Sequence, residues 1–207
     1  MSIYKVPQGV NIEETAQRTD ILHFMDVTDA DGVTPEAEGD TVWDQMGVGW
    51  TSMTENPSAQ TKPRKFINEK SERKNITSYS PSFAYEALLM FLKPSIRKVY
   101  DIYTKRKTGT AAVVPMVTVD AFDTAVGGYY PARKGKYAVE VSSCDDDDDM
   151  IIKGNFNGQG DEEIGWFNPI DGKWSADKPT AQTQTQSENK AEQPVDDADD
   201  GNSEENE

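Results

Sequence analysis

Between residues 42 and 168 the apolar side chains recur at every second position in short runs, broken by glycine, proline and asparagine. "KYAVEV" sets Tyr137, Val139 and Val141 on one face and Ala138 and Glu140 on the other. "AAVVPMVTVDAF" alternates Val113, Val117 and Val119 against Thr118 and Asp120, with Pro115 marking an edge strand or a bulge. "VWDQMGVGWTSM" carries Trp43 and Trp50 among glycines and stops at the turn signal Glu55-Asn56-Pro57. "MIIKGNF" follows, and Asn157-Gly158 favours a tight turn into "EEIGWF". A period of two belongs to strands with one buried face, so this pattern predicts a mainly β chain of about five to eight strands.

One segment departs from that period. Pro94 and Ser95 open "KPSIRKVYDIYTKRKTG", and Ile96, Val99, Tyr100 and Tyr103 fall at i, i+3, i+4 and i+7. This spacing predicts a helix over residues 95–107. Lys105, Arg106 and Lys107 suit its negative C-terminal dipole, and Gly109 stops it. A tyrosine stripe can serve a cofactor, but the general role of such a face is to cover a sheet. Ile96, Val99, Tyr100 and Tyr103 are therefore expected to pack the helix on the strands. "SFAYEALLMFL" stays open: its residues are good helix formers, yet apolar side chains on both faces also suit a buried strand. The expected architecture is a β-sandwich or half-barrel with one flanking helix.

The chain divides into residues 1–41, an N-terminal arm with an acidic loop; residues 42–174, the β domain; and residues 175–207, an acidic tail. The tail holds ten acidic and two basic residues, no aromatic residue, and Val195 as its one sizeable aliphatic. It cannot bury enough surface to offset the entropy of ordering and is expected to be disordered. Asp196, Asp200, Gly201 and Glu207 match places in a calcium loop. Ala198 fills a ligand position, however, and no amphipathic helix flanks the stretch.

A formal net charge of −16 opposes the cation-rich balance of a nucleic-acid binder. No stretch approaches the ~20 apolar residues of a membrane helix, and the start lacks a secretory apolar core, so no membrane partner is expected. The single cysteine, Cys144, permits no internal disulfide and fits folding in a reducing cytoplasm. His23 is the one histidine, with no nucleophile in a recognisable setting and no partner for a zinc site. "MGVGWTS" and "GNFNGQGDEEIG" match no phosphate loop. Carboxylates are too many for a pair to signify acid–base work without a pocket. The expectation is a protein that is not an enzyme and holds no cofactor or metal.

Asp145, Asp146, Asp147, Asp148 and Asp149 lie between "KYAVEVSSC" and "MIIKGNF". Calcium needs six or more oxygens around one point and usually a glycine-assisted turn, which this run lacks. Neighbouring carboxylates repel by roughly 0.5–1 kcal/mol each in water, so the run is expected as a solvated hairpin tip that controls association by charge.

The segments "WDQMGVGWTSMTENPSAQTKPRKFINEK", "ITSYSPSFAYEALLMFLKPSIRKVYDIYTKRKTG" and "IIKGNFNGQGDEEIGWF", in that order, resemble the major tail tube proteins of long-tailed bacteriophages. The matching features are Trp-x-x-x-Gly, Thr-Glu-Asn-Pro, Phe-Ile-Asn, Ser-x-x-Pro-Ser-Phe, a helix ending in Lys-Thr-Gly, and a glycine-turned closing hairpin, over residues 42 to 168. Pro115 and the aspartate run depart from the pattern. The resemblance implies a structural subunit of the tail tube, with "SFAYEALLMFL" as a strand, forming homohexameric rings that stack into a tube. Implied partners are other copies of the chain, a tape measure protein and tail-terminating proteins. Viral DNA would pass an acidic lumen without specific binding. The protein would be made in the host bacterial cytoplasm and reside in the virion tail. The competing expectation is a carbohydrate-binding β-sandwich displayed on a particle surface, with Trp166 and Trp174 stacking on sugars.

Overall fold

A computed structural model describes residues 17–30, 32–35, 40–146 and 149–180. Residues 181–207, which hold the calcium-loop spacing and most of the acidic tail, lie outside the described residues, as do Asp147 and Asp148. Among the described residues the chain is mainly β with one α-helix, and its principal sheet curls into a half-barrel. The strands are β1 (Ile21–Asp26), β2 (Trp43–Gln45), β3 (Trp50–Asn56), β4 (Ala59–Arg64), β5 (Arg73–Tyr79) and β6 (Ser82–Leu88). After α1 (Pro94–Thr104) come β7 (Val113–Asp120), β8 (Tyr130–Asp146), β9 (Met150–Gly158), β10 (Glu163–Asn168) and β11 (Lys173–Ser175).

All pairings are antiparallel, in the order β2-β1-β7-β8-β9-β6-β3, with β10 on β8 and β11 on β10. The two edge strands, β2 and β3, are consecutive in the chain, so a short turn must span the open side of the curl. In that turn the Met46 N–H donates to His23 O at 2.7 Å, and Gly49 O accepts the Leu88 N–H at 2.8 Å. "VWDQMGVGWTSM" is therefore two strands rather than one, each on a different edge. Gly49 sits at φ 87°, and a Cβ there would come within 2.6 Å of Ile96 Cδ1, so glycine lets the turn pass under the helix.

The inside of the curl buries Met25, Phe83, Tyr85, Val114, Met116, Val139, Ile152 and Phe156 together with α1. A second cluster of Phe24, Val117, Val119, Ala132 and Phe167 fills the opposite face of β1 and β7. Both faces of β7 are thus covered, and Pro115 is not on an edge strand. The β1 register ends at Met25 opposite Met116, so Pro115 lies just past the β1 pairing and its missing N–H breaks no β1 rung.

Three further expectations are corrected. Residues 21–26 are not part of an N-terminal arm: β1 lies between β2 and β7, because Leu22 and Phe24 serve one core and Met25 the other. β9 and β10 do not form a hairpin. Both run antiparallel to β8, with the Gln159 N–H donating to Lys136 O at 2.8 Å and Gly160 at φ 91° between them, so the glycines bend one continuing path. The domain boundary at 174/175 falls inside β11, where Ser175 pairs with Trp166. The open segment "SFAYEALLMFL" resolves as a strand, β6, with Phe83, Tyr85 and Ala87 inside, followed by a loop at Leu89.

Gly154 fixes the curl of the longest strand. It faces Val141 where β8 bulges before Ser143, and a Cβ would lie 1.8 Å from Glu140 O. The Tyr85 hydroxyl donates to that same carbonyl at 3.1 Å, and burial, with the nearby Glu140 charge, pushes its phenol above the usual range.

Candidate assembly surfaces

The helix is seated by both apolar and polar contacts. Ile96 and Val99 are fully buried and Ile102 nearly so, each contributing roughly 1.5–3 kcal/mol by removal from water. Tyr100 and Tyr103 are only partly buried, at the rim of the same core. Tyr103 is covered by the Arg106 guanidinium at 4.7 Å, and Tyr100 meets Phe91 edge-on at 5.8 Å. Ile102, missing from the predicted face, stands three residues after Val99; that spacing was its signal. α1 ends at Thr104, earlier than expected, and the Lys105 and Lys107 ammonium groups both reach Asp101 at 2.6 Å. Those two cations hold the Asp101 carboxyl below its ordinary range.

At its N-terminus the helix lacks a capping side chain of its own, and β2 supplies one. Asp44 Oδ2 accepts the Ser95 N–H at 3.0 Å while Oδ1 receives the Lys93 ammonium at 2.6 Å. Trp50 Nε1 donates to Ser95 Oγ at 3.2 Å, which joins β3 to the same point.

A polar clasp closes the other part of the curl. Arg133 on β8 grips Glu55 on β3 with two parallel bonds, 2.7 and 3.0 Å. Glu162 stands 3.7 Å from Arg133 and accepts the Tyr137 hydroxyl. The Arg133 bonds hold the Glu55 carboxyl below its ordinary value, with a smaller push from His23. Burial first, then the bond to Glu162, raises the Tyr137 phenol. Burial also raises the Asp120 carboxyl. His23 lies beside this clasp with Nδ1 3.1 Å from Thr118 Oγ1 and its ring edge-on to Phe83 at 5.5 Å. Its setting is that of a histidine packed between strands.

Beyond Asn56 the β3–β6 pair continues as a separate ribbon, β4 with β5, in its own two-stranded sheet. Every residue of both strands is exposed. Residues 59 to 79 carry six basic and two acidic side chains, a cationic arm on a chain of net −16. Its turn presents Phe66 at 51% and Ile67 at 109% exposure. No alternation marks these strands in the sequence, where the stretch carries the Phe-Ile-Asn motif of the resemblance; its reversal of charge is the signal that sets it apart.

At the opposite end of β6 lie the aspartates. Asp145 and Asp146 are not in the tip: they pair with Ile151 and Met150, so β8 runs two residues further than like-charge repulsion suggested. Asp145 is exposed, 3.7 Å from the Lys153 ammonium, and Asp149 is exposed beside the turn. Among the described residues no group of three or more His, Cys, Asp or Glu converges on one point. Met150 pairs with Asp146, and Val48, Met90, Phe91 and Leu92, in the loops that reach this end of β6, are further exposed apolar side chains.

Trp166 and Trp174 do not make a shared sugar platform. Trp174 pairs with Phe167, the neighbour of Trp166, which places the two indoles on opposite faces of β10–β11. Each is already approached by a lysine, Lys178 at 5.3 Å and Lys134 at 5.5 Å. Among the described residues no helix is long and apolar enough to cross a membrane.

No family model and no curated protein matches the chain. A chain in the cryo-EM structure of the anti-feeding prophage baseplate, 6-fold symmetrised, is similar in shape with a TM-score of 0.42. The two are 8% identical, and the match covers 74% of this chain and 97% of that one.

Proposed function

We propose that the chain is a structural subunit of a bacteriophage tail tube rather than an enzyme. It assembles with copies of itself into stacked hexameric rings whose lumen conducts viral DNA. The observation that carries this is the β4–β5 arm. A two-stranded ribbon exposed on both faces is marginal by itself in water, and its free edges offer unpaired backbone groups. Such an arm requires a partner to be useful. The ordered motifs from Trp43 to Phe167 supply the identity of that partner by resemblance: further copies of the same chain. Ring number, the tape measure and tail-terminating partners and residence in the virion follow from that resemblance. The half-barrel and its seated helix suit the role, since they make a rigid body from which one element projects.

The test replaces residues 59–79 with an Asn-Gly turn, because Ser80 N already lies 3.2 Å from Pro57 O at the arm's base. The shortened chain should keep the thermal midpoint of the body and stay monomeric while the full chain assembles with concentration. Equal assembly of both proteins, or a full chain that is monomeric at every concentration, would overturn the proposal.

A further inference from the structure

We propose that the arm of one copy docks on the far end of β6 in the next, so that the subunits join head to tail. This rests on the self-assembly proposed above and adds which surfaces meet. The two surfaces sit at opposite ends of one strand. β5 leads through Pro81 into Ser82, whereas Leu88 ends β6 beside Gly49 and Ile151.

The two ends are complementary in two independent respects. The arm turn offers the apolar pair Phe66 and Ile67 among cations that include Lys62, Lys65 and Lys70. The far end offers exposed Val48, next to the Gly49 whose carbonyl accepts the Leu88 N–H, and exposed Met150, whose carbonyl accepts the Leu89 N–H, each at 2.8 Å, with exposed Leu92 three residues further along the chain. Exposed Asp145 and Asp149 edge it. An exposed apolar turn on an arm of six basic and two acidic side chains thus has as its counterpart an apolar end edged by Asp145 and Asp149, where Lys153 offsets part of the Asp145 charge from 3.7 Å. Because the surfaces differ and lie at opposite ends, the contact is heterologous: each docked copy leaves one arm and one patch free, and the assembly propagates. Attraction between arm and aspartates, not repulsion among aspartate tips, then sets the response to salt, and the contact weakens as ionic strength rises.

The experiment uses two full-length variants, Ile67→Asp and Leu92→Asp, with sedimentation velocity at low and high salt. Both side chains are almost wholly exposed, so neither change disturbs the core. Each variant alone should associate at least about tenfold more weakly than the parent chain, the loss expected for a central apolar anchor. An equimolar mixture should form a one-to-one dimer, since the intact arm of Leu92→Asp meets the intact patch of Ile67→Asp. If the parent assembles and both variants assemble equally well alone, the surfaces named here are wrong while self-assembly stands. If the parent is monomeric throughout, both fail. Binding of a duplex DNA probe that is abolished by Lys62→Glu and Lys70→Glu, with association unchanged, would assign the arm to nucleic acid and overturn the docking.

Discussion

Asp44 caps a helix to which it does not belong: its Oδ2 accepts the Ser95 N–H at 3.0 Å across 51 residues of sequence. The same carboxylate holds Lys93 and so ties edge strand β2 to the start of α1. Asp44→Ala should cost about 1–2 kcal/mol, the upper part of the range for a lost cap. Asp44→Asn keeps an acceptor and should cost less. Urea midpoints of the two variants check this; equal losses would show that the charge, not the cap, matters.

The helix face gives a graded expectation. Val99→Asp places an unpaired charge in a fully buried site and should cost several kcal/mol. Ile102→Ala should cost about 2–4 kcal/mol, and exposed Lys105→Ala less than about 0.5 kcal/mol. Thermal or urea unfolding separates these outcomes, and tolerance of Ile102→Ala would place the face elsewhere.

The clasp predicts two acid responses of opposite sign. The Glu55 carboxyl is lowered from its ordinary 4.5, so its contribution is full above that pH and is lost as pH falls through the folded-state value. The Asp120 carboxyl is raised from 3.8, so its charge costs stability at neutral pH and that cost disappears on acidification. Glu55→Gln should lose about 1–2 kcal/mol at pH 7, allowing for partial exposure, and flatten the acid limb below pH 4.5. Asp120→Asn should gain stability at pH 7, with the gain vanishing below pH 3.8. Urea unfolding across pH 3 to 7 measures both; parallel curves for parent and variants would contradict the assignment.

The strand-rich fold and the helix were legible because "KYAVEV" and the Ile96–Val99 spacing carry clean periods. Elements lacking that contrast were not. β1 is apolar on both faces, so "ILHFMD" shows no alternation, and β4 and β5 are polar on both faces, so they show none either. Asn157-Gly158 is a sound turn signal, but pairing along β8 overrode it through Gln159. Of the candidate sites, the helix face was half visible: Ile96 and Val99 are central, the two tyrosines peripheral, and Ile102, three residues after Val99, lies outside the i, i+3, i+4, i+7 set that starts at Ile96. The cross-strand clasp of Glu55 with Arg133 spans 78 residues, which no local pattern encodes.

The acidic tail yields a prediction with a revised boundary. β11 extends to Ser175, and Lys178 covers Trp166 at 5.3 Å. Truncation after Thr180 removes nine acidic residues with little apolar surface, and should leave the thermal midpoint within error. Truncation after Trp174 removes the Trp166–Ser175 pairing and should lower it. Equal midpoints for the two truncations would show that the β11 end adds nothing.

Negative-stain microscopy of the concentrated full-length protein tests whether copies of this chain build a tube. Rings and stacked tubes with an open lumen are expected, and are expected to be lost when residues 59–79 are replaced by a turn. A field of uniform single particles at every concentration and salt, identical for the full and arm-less chains, would contradict tube assembly.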